Sequence, residues 1–404
     1  MSMDRFVERL NEFGLDVEFK NNKLNLSYEG VSKKITIDDD WQSAIRGFYR
    51  SRRHHYDDEE RIFWSPKSFE RPIGRLNQNA LNYTKSYEFS GNRSGKVIID
   101  QATKKFSLAF LNSDEYQRFF EVIVERRLER RGLRAFKDVI DFLWQPRSIR
   151  YEVSSNTDKS LLFDKASKAI AGCLFKLAYE KGECWEPLKP KKRIQVDFHE
   201  EESEDDLNIP LAAYDENLVR YYKVARSSQF PSQAFLAFYH VLEYNFLKVS
   251  DESLYNKIRG QINNPEFRPN QKNIDRLIFT IGSHKDQSDE TEMLRSVLQK
   301  YVNEEELIDF IKMVEEEVER NIYTNKRSIF GENLVVNAKA GHALSNCAKI
   351  IKHIRNSLVH SSDRYTREDC HIPLTESEEL VHEFVPLVRY MAEKIIFSSA
   401  SSSP

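Results

Sequence analysis

The sequence predicts an α+β region followed by an all-α helical bundle, and three observations carry that division. Short alternating runs of apolar and polar residues dominate the first part of the 404-residue chain, and long stretches of helical periodicity dominate the last. A charged segment with few apolar anchors separates them. The α+β region is therefore set at 1–195, an acidic linker at 196–212 and the bundle at 213–404. Apolar residues make up 40% of the chain, enough for ordinary cores in two or three domains.

Net charge is −3, unevenly spread: residues 1–200 hold 37 Lys+Arg against 31 Asp+Glu, and residues 201–404 hold 24 against 33. An acidic second half argues against a broad nucleic-acid platform there, because such binding neutralises phosphates with many cations. Any RNA chemistry in that half needs a local site. The four cysteines, Cys173, Cys184, Cys347 and Cys370, include no C-x-x-C pair, so neither a disulfide framework nor a standard zinc site is indicated. Cys370-His371 with Cys347 or His382 is a conceivable cluster without zinc-site spacing, and no metal or cofactor is expected. No apolar run approaches the roughly 20 residues of a membrane span, and Met1 to Asp16 lacks the apolar centre of a signal peptide. The expectation is a cytoplasmic protein with no membrane partner.

In the first region, Met3 to Phe13 reads as a helix, followed by a meander of strands at 15–19, 24–28 and 34–38 across Asn-Asn and Glu-Gly turns. Asp40 reads as the N-cap of a helix from Trp41 to Tyr49. The basic residues from Arg50 to His55 abut Asp57 to Glu60 and read as a solvated loop. Lys96 to Asp100 and Lys105 to Leu111 suggest a hairpin leading into a helix after Ser113-Asp114. On that helix Arg126, Arg130 and Arg134 fall at i, i+4 and i+8, with Arg127 and Arg131 alongside, a stripe able to bind RNA phosphates. Glu121, Glu125 and Glu129 are interleaved at pairing distances, which favours a solvated, salt-bridged face. A strand at Arg150 to Val153 and a periodic helix from Leu161 to Glu180 complete the region. No Gly-rich phosphate loop, catalytic triad or paired metal motif occurs in it.

Pro187 and Pro190 open the boundary, and an alternative makes Ile194 to Phe198 an edge strand, leaving only 199–209 as connector. Beyond it, Asp215 caps a helix from Glu216 to Arg226, and Phe230-Pro-Ser-Gln starts a second from Ala234 to Val249. Helices at Asp289 to Tyr301, Glu304 to Glu319, Ala338 to His360 and Thr375 to Phe397 follow, which makes a helical bundle. Pro265 to Gln287 does not fit the pattern and reads as an insertion. Phe235, Phe238, Tyr239, Leu242 and Phe246 form the buried stripe of the second helix, with His240 and Glu243 on another side.

The helix ending at His360 organises the functional argument. Cys347, Ile351, Ile354 and Leu358 form its apolar stripe; His353, Asn356 and His360 fall opposite, with Arg355 on the border. The run Arg355-Asn356-x-x-x-His360 resembles the signature of HEPN-domain ribonucleases, in which Arg and His are separated by four to six residues. Arg220 to Phe246, with its Tyr-Tyr-Lys-x-Ala-Arg opening and Phe-Tyr-x-x-Leu-Glu core, looks like the first helical pair of bacterial HEPN effectors. The likeness covers roughly the last 190 residues. It implies a HEPN-like bundle, and Glu243 matches the polar residue that the family places near the Arg and His.

Metal-independent RNA cleavage uses the ribose 2′-hydroxyl as nucleophile and needs proton removal, phosphorane stabilisation and protonation of the leaving 5′-oxygen. A histidine can serve as acid or base near neutrality, which suits His360, and Arg355 can hold two non-bridging oxygens with its planar fork. Asn356, one turn before His360, can bond the imidazole or the RNA. One helix supplies one histidine, and the resemblance implies a homodimer in which two motifs share a cleft. His353 is the intramolecular alternative, with an exposed or structural role favoured. The loop after His360 offers Arg364, Tyr365 and Arg367 to RNA or to solvent.

The leading expectation is thus a HEPN-type endoribonuclease, a bacterial anti-phage effector or toxin, with Arg355, His360, Asn356 and Glu243 catalytic. Its α+β region would sense a phage-derived or cellular trigger or recruit RNA. The alternatives are a non-catalytic dimeric helical adaptor and a DNA-binding regulator using the basic helix 118–134.

Overall fold

The computed structural model describes every residue except 1, 29, 52, 77–84, 92–94, 190–211, 287–289, 361–369 and 403–404. It divides into two compact units, Met1–Lys191 and Lys192–Pro404. The first is α+β and the second predominantly helical. The charged connector through residue 211 and the alternative strand at 194–198 lie outside the described residues, as does Arg364 with its loop.

In the first unit, helix α1 (Ser2–Asn11) is followed by an antiparallel meander of β1 (Asp16–Lys20), β2 (Lys23–Tyr28) and β3 (Val31–Thr36). Val17 opposite Leu26 and Leu24 opposite Ile35 bury one face, as period-two alternation requires. Helix α2 (Asp39–Arg50) is capped by Asp38, not Asp40: its carboxylate accepts from the Trp41 N–H at 2.6 Å. Asp39 and Asp40 occupy the first turn, where negative charge suits the helix dipole.

A larger sheet joins β4 (His55–Asp57), β5 (Ile62–Ser65), β6 (Ser68–Arg75), β7 (Tyr87–Gly91), β8 (Gly95–Gln101), β9 (Arg147–Glu152) and β10 (Trp185–Pro187). Its order is β4-β5-β6-β9-β8-β7, with β10 also on β6. The expected loop around His55 therefore runs into an edge strand. Residues 105–111 are not a strand: helix α3 (Lys104–Leu111) occupies them, started by Thr103, whose hydroxyl accepts from the Phe106 N–H at 3.1 Å. Phe106 through Leu111 are all buried, so the run carries no amphipathic period to read. The buried Glu70 carboxylate fixes this junction, accepting from Thr103 N at 2.8 Å, Thr103 Oγ1 at 2.6 Å and Ser148 Oγ at 2.7 Å. Burial pushes its carboxyl up, and the donors around it oppose that shift.

The basic segment also departs from expectation. It comprises α4 (Tyr116–Phe119), a π-helical turn at Phe120–Glu125 and α5 (Arg126–Arg131), ending at Gly132 with φ +59°. Arg126 and Arg130 are exposed on α5, but Arg134 lies beyond the break in a 3₁₀ turn, so the three arginines do not form one helical row. Among the described residues Glu121, Glu125 and Glu129 form no ion pairs with those arginines; Arg127 pairs with Asp141 at 2.9 Å instead. Helix α6 (Lys159–Lys181) lays Leu162, Ala166, Ile170, Leu174 and Leu177 into the core formed with Phe69, Ile99, Ile149 and Tyr151.

The second unit contains α7 (Glu216–Ser227), α8 (Pro231–Glu243), α9 (Phe246–Ile262), α10 (Gln271–Asp286), α11 (Glu290–Tyr301), α12 (Glu304–Glu317), α13 (Ala343–Val359) and α14 (Glu376–Ser398). Short strands β11 (Ala212–Ala213) and β14 (Ser401–Ser402) pair, as do β12 (Arg327–Ile329) and β13 (Glu332–Leu334). Phe235, Phe238 and Leu242 of α8 share a core with Ile351 and Ile354 of α13 and Val388 and Met391 of α14.

Two boundaries differ from expectation, and one further helix is present. The helix expected from Ala234 to Val249 breaks at Tyr244-Asn245, where buried Asn245 turns its side-chain amide to the Val241 carbonyl at 3.4 Å. Within residues 265–287, which carry no pattern of the bundle, Gln271–Asp286 form helix α10, tied to α9 by Gln261 Nε2 donating to Thr280 Oγ1 at 2.9 Å. The motif helix starts at Ala343 rather than Ala338, because Glu304 accepts from the N–H groups of Gly341 at 2.7 Å and Leu344 at 3.2 Å, capping it from α12. No helix among the described residues is long and apolar enough to cross a membrane.

Glu70→Ala leaves three donors in the core without an acceptor, and should lower unfolding free energy by about 3 kcal/mol. Urea denaturation of the full chain, followed by tryptophan fluorescence, measures the loss.

Candidate functional site

Helix α13 turns Cys347, Ile351 and Ile354 fully inward, while Leu358 packs against the same core from a half-buried position. Its other side divides between two tasks. His353 is committed to the hairpin β12–β13: its Nε2 lies 2.8 Å from the Ile329 carbonyl oxygen and 3.2 Å from that of Phe330. A ring nitrogen facing two carbonyls acts as a donor, so this histidine is structural. One turn along, Arg355 and Asn356 are half-buried, and His360 is the exposed C-cap residue, its backbone N–H donating to the Asn356 carbonyl at 2.8 Å.

Arg355 is the centre of a polar cluster drawn from three helices. Its Nη2 lies 3.5 Å from Glu243 Oε1 of α8 and 3.5 Å from Glu290 Oε1 of α11, and its Nη1 donates to Asn356 Oδ1 at 3.1 Å. The guanidinium sits over the Tyr239 ring, 5.6 Å from its centroid. Tyr239 is fully buried and donates its hydroxyl to Glu290 Oε1 at 2.8 Å; burial, with that carboxylate beside it, pushes the phenol far above its ordinary range. His240 completes the group, with Nδ1 3.0 Å from Glu243 Oε2 and its ring 5.4 Å from that of Tyr221 on α7.

Of the residues singled out from sequence, Arg355, Asn356 and Glu243 meet in one cluster, and exposed His360 lies at the end of the same helix. Asn356 gives its side-chain oxygen to Arg355 rather than to the His360 imidazole. Arg126, Arg130 and Arg134 belong to the other unit. Glu290 and Tyr239 are site residues that the sequence reading did not find. Tyr239 sits within an apolar stripe and reads as core, while Glu290 is one of several acids at a helix start. No period or motif links either to Arg355.

No protein family, curated protein or solved structure matches the chain.

The charges limit what the site can bind. Glu243, Glu290 and Arg355 together carry one net negative charge before the histidines are counted. An anion engaging Nη2 must displace a carboxylate oxygen, whereas the half-exposed imidazole of His240 and exposed His360 are open to solvent. Cys347 is sealed in the core, its thiol pushed up to about 12 by burial, and offers no nucleophile. Among the described residues no group of three or more His, Cys, Asp or Glu side chains could hold a metal ion.

Because Glu290 competes for the guanidinium, Glu290→Gln should tighten inorganic phosphate binding at this site by about three- to tenfold. Phosphorus NMR titration of wild type and variant measures the change, with Arg355→Ala abolishing it in both.

Proposed function

We propose that the second unit is a HEPN-type, metal-independent endoribonuclease that cleaves RNA by 2′-hydroxyl attack. The observation that carries this reading is the meeting of Glu243 and Arg355. These residues lie 112 positions apart, come within 3.5 Å across α8 and α13, and stand beside Asn356 on the helix that His360 ends. The resemblance to HEPN effectors expects that neighbourhood of an acid, an arginine, an asparagine and a histidine.

In this reading Arg355 exchanges a carboxylate for the scissile phosphate and stabilises the charge that gathers on its non-bridging oxygens. Glu243 at Nη2 and Asn356 at Nη1 hold the guanidinium in orientation. His360, free of the core at the helix end, transfers a proton, a contribution of about 10²–10⁴-fold. The products are a 2′,3′-cyclic phosphate and a 5′-hydroxyl. Two chains pair through the bundle, and the first unit recruits RNA or senses a trigger, with exposed Arg126, Arg130 and Arg134 offering cations. The biological role is that of a cytoplasmic anti-phage effector or toxin.

A second reading, a non-catalytic dimeric adaptor, draws on the same arginine. A guanidinium already shared by two carboxylates is what a structural ion cluster looks like.

Incubating wild type, His360→Ala and Arg355→Ala with mixed RNAs in chelator separates the two. The enzyme reading expects cyclic-phosphate ends from wild type and a loss of at least about 100-fold in His360→Ala, with melting temperature and light-scattering mass unchanged. The adaptor reading expects no cleavage by any of the three and a mass change in Arg355→Ala.

A further inference from the structure

We infer that the seam between α7 and α8 is a nucleobase-binding subsite, in which unpaired bases stack on Tyr221, His240 and Tyr244 while Arg355 holds the neighbouring phosphate. The inference rests on the endoribonuclease reading above and adds to that site the surface that grips the substrate beside the scissile bond. Each chain of a pair brings its own seam, so the shared cleft is unaffected.

Three rings line this seam. His240 on α8 and Tyr244 just beyond its end stand four residues apart, on the side of the helix away from buried Phe235, Phe238 and Leu242. On α7, exposed Asn217, Tyr221 and Val224 follow the i, i+4, i+7 spacing of one outward face. The two faces meet at both positions. The Tyr221 ring lies 5.4 Å from that of His240, and Asn217 Nδ2 donates to the Tyr244 hydroxyl at 3.1 Å. Tyr221, His240 and Tyr244 remain 38%, 48% and 47% exposed, so each ring is open to a ligand. Glu243 joins this row to the phosphate site, with Oε2 3.0 Å from His240 Nδ1 and Oε1 3.5 Å from Arg355 Nη2. One carboxylate thus sets the imidazole and the guanidinium in a fixed relation. Beside Tyr244 lies a cleft whose walls include Leu247 and Lys248, which places an exposed ammonium next to the last ring.

The chemistry of the seam suits bases better than further phosphates. Glu243 and Glu290 leave the Arg355 cluster with one net negative charge, which repels a second phosphate next to the first; a neutral base is not repelled. Aromatic rings accept the π-face of any base, and each stacked base is worth about 5- to 150-fold in affinity. Bases inside a duplex are already stacked on one another, so the row serves an unpaired strand. Tyr221, His240 and Tyr244 bind in this scheme and move no proton.

Two binding measurements test the subsite, with melting temperature as the folding control. By NMR titration, adenosine 5′-monophosphate should bind wild type about tenfold tighter than ribose 5-phosphate, an advantage that Tyr221→Ala removes and Tyr221→Trp keeps. By fluorescence anisotropy, a short unstructured RNA with 2′-O-methyl ribose reports binding without cleavage, because the methylated oxygen cannot attack. Tyr221→Ala and Tyr244→Ala should each weaken that strand about tenfold and leave binding of the same strand annealed to its complement unchanged. Equal affinity of wild type for the nucleotide and the sugar phosphate overturns the inference. So do tyrosine variants within about threefold of wild type on the single strand, or a wild type that binds no RNA. A fall in light-scattering mass in Tyr221→Ala with RNA binding unchanged marks the seam as a protein contact and overturns it equally. The endoribonuclease reading is judged separately, by cyclic-phosphate ends on unmodified RNA. Base-dependent binding by a wild type that cleaves nothing sinks that reading and leaves the subsite.

Discussion

Arg355 lies between Glu243 and Glu290, and the three come from three different helices, α13, α8 and α11. With only 22% of its side chain exposed, the guanidinium is partly desolvated, so sliding any one helix by a turn would strand a charge away from its partners. Tyr239 ties this constraint to the apolar core, since its ring is fully buried beneath Arg355 while its hydroxyl reaches Glu290. Polar cluster and hydrophobic packing therefore fix the same helix register. Glu304 from α12 and the β12–β13 hairpin through His353 hold α13 at its start and middle, leaving His360 exposed at its end.

What the sequence discloses follows from which signals are periodic. The stripe Cys347, Ile351, Ile354, Leu358 is legible because a helix with one buried side repeats at 3.6 residues, and those positions pack on the core. Glu243 was reachable through resemblance, and its 3.5 Å approach to Arg355 is a long-range contact that no local pattern encodes. The helix at Lys104–Leu111 was unreadable for the opposite reason: burial on every side erases periodicity, and the decisive features, Thr103 and the distant Glu70, lie outside the run. The break after Glu243 depends on buried Asn245, whose polarity reads as surface in a linear scan. In the basic segment charge spacing suggested pairing, yet the π-helical turn and the stop at Gly132 alter the angles on which that arithmetic relies.

The fold holds its partly or fully buried polar groups in two ways. Glu70 in the first and Glu315 in the second each gather backbone and hydroxyl donors around a sealed carboxylate; Glu315 accepts from Tyr323 N, Thr324 N and Thr324 Oγ1 at 2.6, 2.8 and 2.7 Å. Both are satisfied by neutral donors alone among those bonds, which makes them joints of the fold. The Arg355 cluster is built from charges instead and reaches solvent at His240, so it can exchange partners where the other two cannot.

Helix α10 buries no residue among those described, and leaves Ile278 61% and Phe279 74% exposed. A sixteen-residue helix that gains so little from tertiary packing is held mainly by its own backbone bonds and its few ties to α9. Its amides should therefore trade deuterium through small local openings long before the rest of the bundle lets go. Glu290 stands only four positions past the end of α10, so a nick by a protease in that helix would cut the chain close to the carboxylate that competes for Arg355.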